Sequence, residues 1–341
     1  MSGTTVRPPV LKQVGVRIAG TGRCVPEKVL TNFDLEKIMD TTDEWIVQRT
    51  GIRERRICQP EKGEGPVSLC TGALRDALKD ARTDPAELDI LIVASVTGEM
   101  TCPSTACRVA AEVGAMNAGA FDVLAACSGF LYAMQTAHAM IRSGQARTVA
   151  VVGCDVMTRA LDYDNRGVAI LFGDSAGAAI FKATDDISRG QIAGILKADG
   201  RGWRDLYIPR KVCDLPAGVD PATIKLDTLQ MNGREVYKFA VGTFGALIQQ
   251  TLDAAGVTSD DVAMYVCHQS NARMLESARE RYNIPPEKFY INIDRYGNCS
   301  SGSVPVCFDE LRKMGKCAEG ELVMFVAFGG GLTWAGSLWR L

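Results

Sequence analysis

The sequence predicts an α/β protein built from two similar halves. Three observations predict it. Its strands read as continuous apolar runs such as DILIVASV at 89–96, the pattern of strands covered on both faces. Helical and strand segments alternate along the whole chain. The same order of pieces then returns further on.

Taken in order, Val14 to Gly20 reads as a first strand. Thr31 or Asn32 caps a short helix, and Thr42 or Asp43 caps the next, DEWIVQRT, which Gly51 stops. Arg53, Arg55 and Arg56 follow, then an amphipathic helix from Leu69 to Ala81 and the strand DILIVASV. From Ala120 to Gly144 an apolar run, Phe121 to Ala126, leads through Cys127, Ser128 and Gly129 into a helix without charge. Phe130, Leu131, Met134, Ala137 and Ile141 fall at helical spacing, so this helix is expected to be buried on every face. Thr148 to Gly153 is another buried strand, and Val168 to Ala183 is apolar around GDSAG. Residues 184 to 230, with Pro209, Pro216 and Pro221, form a more polar connection.

The repeat begins after that. A helix starting at Gly245-Ala246-Leu247 answers one starting at Gly72-Ala73-Leu74. VAMYVCH answers DILIVASV, FYINID around Tyr290 answers FDVLAAC, and ELVMFVAF near Val323 answers TVAVVG near Val149. The expected division is a loose tail over 1–13, a half over 14–185 and a half over 186–341.

Composition narrows the function. The chain has 341 residues, 47% hydrophobic and 23% charged, with net charge −2. No global field draws it to nucleic acid or to an anionic membrane. Residues 1–13 lack the apolar core of a signal peptide, so a cytoplasmic location with reduced thiols is expected. The twelve cysteines are scattered without a C-x-x-C pair, and there are two histidines, so no metal site is expected. Two uncharged runs, Val123 to Ile141 and Leu322 to Trp339, reach membrane-span length, but Gln135, Thr136 and His138 mark the first and Gly329, Gly330 and Gly331 break the second. Both read as buried core.

Cys127 stands at a helix start, where free N–H groups and the helix dipole favour a thiolate. A cysteine is also a small hydrophobe, so this stretch alone leaves nucleophile and core packing both open. A thiol nucleophile needs a histidine nearby. His138 lies eleven residues along the same helix, roughly 16 Å away, and reads as a buried, hydrogen-bonded core residue. His268 closes a buried strand and opens into the polar turn HQSN, where α/β proteins place chemistry. Asn298, in RYGNCSSGSVP, sits in a loop whose glycine allows close approach to a ligand, or is an ordinary turn residue. Cys, His and Asn in this order also suit a cysteine protease, though its local signature is missing. Gly173-Asp174-Ser175-Ala176-Gly177 fits G-x-S-x-G, but the following AAIFKAT reads as a strand, not the helix an elbow needs.

The stretches DEWIVQRTGIRERRI, FDVLAACSGFLYA, NRGVAILFGDSAGAA, CHQSNARM, DRYGNCSSGSVP and FGGGLTWAGS together resemble the 3-oxoacyl-acyl-carrier-protein synthase III family, from about Val16 to Leu341. The resemblance implies the thiolase fold, two α/β halves in a five-layer αβαβα arrangement, and a homodimer. It implies an acyltransferase that condenses an acyl-CoA primer with malonyl-acyl-carrier protein to start fatty acid synthesis. A starter-unit condensing enzyme of specialised metabolism is the alternative within the fold. Acyl-CoA is a substrate, and no resident cofactor is implied.

The same resemblance assigns positions. Cys127 would carry the acyl group, the N–H groups of Cys127 and Gly330 would form an oxyanion hole, and His268 and Asn298 would hold the malonyl thioester carbonyl. Trp45 and Arg166 would sandwich the CoA adenine, with Thr41, Arg49 and Asn271 beside them. Lys238, Gln269, Ser270, Asn271, Ala272 and Arg273 would meet the carrier protein. Arg234 departs from the neutral polar residue implied beside the CoA channel, and Glu280 replaces a basic residue in the implied docking region. Cys102 stands where a residue reaching across the dimer shapes the acyl pocket, and its small size implies room for branched or longer primers.

Overall fold

The computed structural model describes residues 13–341. The expected tail therefore lies outside the described residues except for Gln13. The chain opens with β1 (Gly15–Cys24). A small excursion follows, made of β2 (Val29–Thr31), α1 (Asn32–Leu35), α2 (Asp43–Thr50) and β3 (Glu54–Arg56), with β2 and β3 paired antiparallel. Thr31 Oγ1 accepts the Asp34 N–H at the start of α1, and Thr42 Oγ1 accepts the Trp45 N–H at the start of α2. Gly51 ends α2 at φ 79°, a conformation a side chain would resist.

Next come α3 (Pro66–Asp80), β4 (Ile90–Ala94), α4 (Thr105–Val113), β5 (Gly119–Val123), α5 (Gly129–Arg142), β6 (Thr148–Val156), α6 (Arg166–Ala169) and β7 (Asp174–Thr184). The first sheet has the order β1-β7-β6-β4-β5. Within it β4, β5 and β6 run parallel, and β7 is antiparallel to both its neighbours. The chain continues through β8 (Gly190–Ala198), a short pair of β9 (Leu206–Tyr207) and β10 (Gln230–Met231), and α7 (Gly233–Ala255). It closes with β11 (Val262–Cys267), α8 (Ala272–Arg281), α9 (Ile293–Tyr296), α10 (Ser303–Lys313), β12 (Leu322–Gly329) and β13 (Thr333–Arg340). The second sheet reads β8-β13-β12-β11, the order and strand directions of β1-β7-β6-β4.

One member of the repeat differs. The counterpart of β5, expected around Tyr290, is no strand but a single parallel bridge between Tyr265 and Phe289. The cause is Gln269. Its Nε2 donates to Tyr290 O at 3.3 Å, and its Oε1 accepts the Asn292 N–H at 3.0 Å. One side-chain amide thus takes the main-chain groups that a strand ladder would have used. In the first half the strand expected over Phe121 to Ala126 also stops early, at Val123.

The layers are α3 and α4, the first sheet, α5 and α10, the second sheet, then α7 and α8. This is the five-layer order expected. Phe130, Leu131, Met134 and Ile141 of α5 meet Phe308 and Leu311 of α10 in the central core. Each such side chain contributes about 1.5–3 kcal/mol by leaving water. Leu74 and Leu78 anchor the outer layer on one side, Leu247 and Ile248 on the other. The two membrane-length runs resolve into the end of β5 with α5, and into the β12–β13 hairpin. Among the described residues no helix is long and apolar enough to cross a membrane.

Candidate active site

Cys127 sits in a single 3-10 turn, Ala126–Ser128, between β5 and α5. Ala126 has φ +46°, an uncommon conformation for a residue with a Cβ, and it turns the chain sharply before the thiol. β12 closes in from the other side. A Cβ added to Gly329 would stand 2.6 Å from the Cys127 amide nitrogen, so only glycine lets that strand end approach. The turn opens on a cavity of about 820 Å³ lined by Cys127, His268, Asn298, Ser300, Phe328 and Gly330, among others. The three side chains singled out in the sequence therefore face one space.

His268 follows β11 and is 1% exposed. Its ring meets Phe328 edge-on at 5.7 Å. Burial pulls the imidazole down to about 3, so it is neutral at physiological pH. Nδ1 is buried without a hydrogen-bond partner among the described residues. A bare lone pair is tolerated there better than an orphaned N–H, which favours the tautomer with the proton on Nε2. Asn298 is held by its backbone: its N–H donates to Leu171 O at 2.8 Å and its O accepts the Gly173 N–H at 3.1 Å. Its Oδ1 accepts the Ser300 N–H at 2.9 Å, which fixes the amide so that Nδ2 is left to donate.

The thiolate expected at Cys127 is not the resting form. Burial pushes the thiol up to about 12, Ser300 and the residue's own N–H pull it down, and the Asp155 carboxylate adds to the rise. Desolvation outweighs the helix start.

Asp155 was not singled out by sequence reasoning. It closes β6 and is fully buried. Its Oδ1 accepts from Ser95 Oγ at 3.1 Å, Val96 N at 2.8 Å, Thr97 N at 3.1 Å and Thr97 Oγ1 at 2.8 Å. Its Oδ2 accepts from Ser301 N at 3.2 Å and Ser301 Oγ at 2.9 Å. The carboxylate thereby fastens the ends of β4 and β6 to the loop that carries Asn298. An acid ending the otherwise apolar TVAVVGCD was the signal for it.

The other expected positions divide. Arg166 lies on Trp45, its guanidinium carbon 5.0 Å from the ring centroid, and Arg49 is 5.7 Å from the same ring. A ring between Trp45 and Arg166 needs two contact layers, about 7 Å, so an adenine would have to part them. Arg166 also pairs with Asp40. Thr41 Oγ1 is buried without a hydrogen-bond partner among the described residues. Asn271 caps α8 by accepting the Arg273 N–H at 2.9 Å and donates to Arg49 O at 3.0 Å, so it ties α8 to α2. Arg273 and Lys238 are exposed, and Lys238 is paired with Glu235 at 2.7 Å. Arg234 and Glu280 are exposed as well.

Several expectations need correction. Gln269 is 1% exposed and committed to Cys267 O, Tyr290 O and Asn292 N, so it cannot meet a carrier protein. Neighbours along an extended chain point to opposite sides, and His268 takes the cavity side. Ala272 packs against Gly51 and is partly exposed. Ser270 lines the cavity, with its Oγ 3.7 Å from Met274 Sδ. His138 is only half-buried and has no hydrogen bond among the described residues. It rests edge-on against Trp339 at 5.4 Å, and burial lowers it to about 4. Cys102 needs no correction: it is exposed and outside the cavity lining of its own chain, which leaves the expected reach across a dimer standing. Ser175 lies inside β7, as its sequence context implied.

Comparison with known proteins decides the family. The sequence model described as 3-Oxoacyl-[acyl-carrier-protein (ACP)] synthase III matches residues 121–200, and its C-terminal counterpart matches residues 252–341. The beta-ketoacyl-[acyl-carrier-protein] synthase III of Caldanaerobacter subterraneus subsp. tengcongensis is 42% identical over 327 residues, 96% of this chain and 98% of the relative. The chain belongs to the beta-ketoacyl-acyl-carrier-protein synthase III family. The crystal structure of 3-oxoacyl-[acyl-carrier-protein] synthase III from Aquifex aeolicus VF5 superimposes with a TM-score of 0.88 at 40% identity, covering 96% of this chain and 100% of that one. The priming beta-ketosynthase of the R1128 polyketide pathway superimposes with a TM-score of 0.90 at 33% identity, covering 99% and 98%. The fold is thus the thiolase fold, and the protein is a condensing acyltransferase. Membership removes the cysteine-protease alternative.

Proposed function

We propose that this chain condenses a short acyl-CoA primer with malonyl-acyl-carrier protein, using Cys127, His268 and Asn298. The carrying observation is that these three side chains share one largely apolar cavity with the Gly329–Cys127 contact at its floor. Cys127 Sγ attacks the primer's thioester carbonyl. The CoA thiol leaves with the proton, and the N–H groups of Cys127 and Gly330 stabilise the oxyanion. Malonyl thioester then enters. His268 Nε2–H and Asn298 Nδ2–H donate to its carbonyl. The bond to the carboxylate breaks, carbon dioxide leaves, and the electron pair stays as an enolate on those two donors. Its carbon attacks the acyl-Cys127 thioester and expels the sulfur. Neutral His268 suits this role, since a hydrogen-bond donor is needed and not a base.

The acidic carrier would dock near Arg273 and Lys238. A homodimer is supported by β5, which lies at the edge of its sheet with one ladder side unpaired. Leu124 is 76% exposed beside it, and Ile192 and Leu196 are exposed on edge strand β8. In such a dimer the exposed Cys102 would reach the partner's acyl pocket.

The deciding test is mass spectrometry of the intact protein after incubation with acetyl-, isobutyryl- and octanoyl-CoA. An acyl adduct on wild type and none on Cys127→Ser is expected; an adduct that persists in the variant contradicts the assignment. The second reading, a starter enzyme of specialised metabolism, is favoured by the likeness to the R1128 priming ketosynthase. Strict acetyl preference in the same panel counts against it.

A further inference from the structure

Arg55 is a charged residue with no exposed surface to serve. It sits on the short strand β3, is 1% exposed, and takes part in no ion pair among the described residues. Burying an unpaired guanidinium is costly unless its N–H groups are satisfied. Burial lowers its pKa to about 10, which still leaves it charged at neutral pH. Its partners are all neutral oxygens, and Nε is buried with no hydrogen-bond partner among the described residues. Nη1 donates to Asn32 Oδ1 at 2.8 Å and to Leu30 O at 3.3 Å, and Nη2 donates to Ile170 O at 2.6 Å.

Those partners lead in two directions. Asn32 passes the contact on, since its Nδ2 donates to Asp43 Oδ1 at 2.8 Å and to Ile52 O at 2.7 Å. Asp43 is the first residue of α2, which carries Trp45 and Arg49, and Ile52 follows its end. Ile170 is the residue that ends α6, which begins at Arg166. The same segment is gripped beyond Ile170 by the catalytic loop, through Leu171 O and Gly173 N to Asn298. One guanidinium therefore joins the helix bearing Trp45 to the helix bearing Arg166. No hydrogen bond runs directly from Trp45 to Arg166 among the described residues; the ring contact between them is the part that a ligand must open.

We propose that Arg55 is a positioning residue, which sets the spacing between Trp45 and Arg166 and so the grip on the nucleotide end of an acyl-CoA. This rests on the reading of Trp45 and Arg166 as the adenine clamp. A neutral hub would hold the two helices less firmly, because a charged donor binds a carbonyl about twice as strongly as a neutral one. A lysine could reach one partner but not all three, as it lacks the planar fork.

The test compares two acyl donors that differ only in the nucleotide end: acetyl-CoA and S-acetyl-N-acetylcysteamine. Rates of Cys127 acylation are read by intact mass on the full chain. Arg55→Met is expected to raise the KM for acetyl-CoA about tenfold, the worth of one charge-assisted hydrogen bond, and to leave S-acetyl-N-acetylcysteamine unchanged. Arg55→Lys should recover part of the loss. A residue that merely keeps the fold intact would reduce the active fraction, lowering the maximal rate with both donors alike, and that result overturns the proposal. Should Arg55→Met fail to fold, Asp43→Ala cuts the same relay near the surface and should raise the acetyl-CoA KM about threefold with the same selectivity; no selectivity there also overturns it. Trp45→Ala separates the two levels. If it does not discriminate between the donors, the clamp reading itself falls. If it does and Arg55→Met does not, the proposal for Arg55 falls alone.

Discussion

Two neighbouring glycines offer a sharp test of the oxyanion hole. A methyl group at Gly329 would stand 2.6 Å from the Cys127 nitrogen, 3.0 Å from its Cβ and 3.2 Å from its Cα. Contact without repulsion begins near 3.4 Å, so the Cys127 amide must retreat by about 0.8 Å or β12 must yield by as much. An oxyanion donor works at about 2.7–3.1 Å, and a retreat of that size removes it from bonding range. Losing one such donor costs about 10²–10³ in rate, or about 2.7–4 kcal/mol of transition-state stabilisation. Overpacking adds a stability cost of about 1–3 kcal/mol. At Gly330 the picture is different. The same methyl group would lie 3.4 Å from Leu206 O, 3.5 Å from Leu206 Cγ and 3.6 Å from Ala126 Cβ, all ordinary contacts, and the N–H is retained. Gly329→Ala should therefore acylate 10²–10³ times more slowly, while Gly330→Ala stays within about threefold. Rapid-quench intact mass with acetyl-CoA reads both, with urea unfolding to separate folding from chemistry. Equal acylation by the two variants would refute the placement of the hole against β12.

Three further outcomes follow from the site. Asn298→Asp replaces the donor Nδ2 with a negative oxygen at the enolate, so decarboxylation of malonyl-acyl-carrier protein should fall about 10²–10³-fold while Cys127 acylation is largely spared; equal loss in both half-reactions would sink the division of labour. Asp155→Ala strips the acceptor from the buried N–H groups of Val96, Thr97 and Ser301, and urea unfolding should report a loss of about 3–5 kcal/mol; a change under 1 kcal/mol would mean the network is dispensable. Burial holds His268 near 3 against an ordinary value of about 6.5, so between those values the unfolded chain binds the additional proton and stability falls on acidification through that window. Wild type should lose stability relative to His268→Gln between pH 6.5 and 4, and parallel curves would show that His268 is not buried as a neutral ring.

The parts of the site that could be read from sequence are those where a local pattern and its tertiary outcome coincide. Cys127 was legible because an apolar run, a small turn and an uncharged helix leave few other arrangements. His268 was legible as the polar end of a buried strand. Gln269 was misread because its neighbour's role was extended along the motif, whereas alternation sends it to the opposite face, where it replaces a strand. The protonation state of Cys127 was out of reach. A helix start is a local feature, but the burial that outweighs it comes from packing by segments far away in the chain, such as the end of β12 at Gly329. Arg55 was seen only as one of three arginines, since nothing in IRERRI says which side chain turns inward.

The repeated architecture explains why the chemistry is divided as it is. In each half a 3-10 turn leads into a central helix, Ala126–Ser128 into α5 and Ser300–Gly302 into α10. The turn residue takes a positive φ in both, +46° at Ala126 and +48° at Ser300. The residue that follows is Cys127 in one case and Ser301 in the other. Cys127 faces the cavity, whereas Ser301 donates to Asp155 and to Ala94 O at 2.8 Å. Two like turns brought together at the centre would give two nucleophile sites competing for one space. Here the second is locked into the strand ends of the first sheet, and its loop is free to contribute Asn298 instead. Asp155 is what commits it, by accepting both the main-chain and side-chain donors of Ser301. On the proposed roles of Cys127 and Asn298, one buried carboxylate distinguishes the two turns of a nearly symmetric backbone.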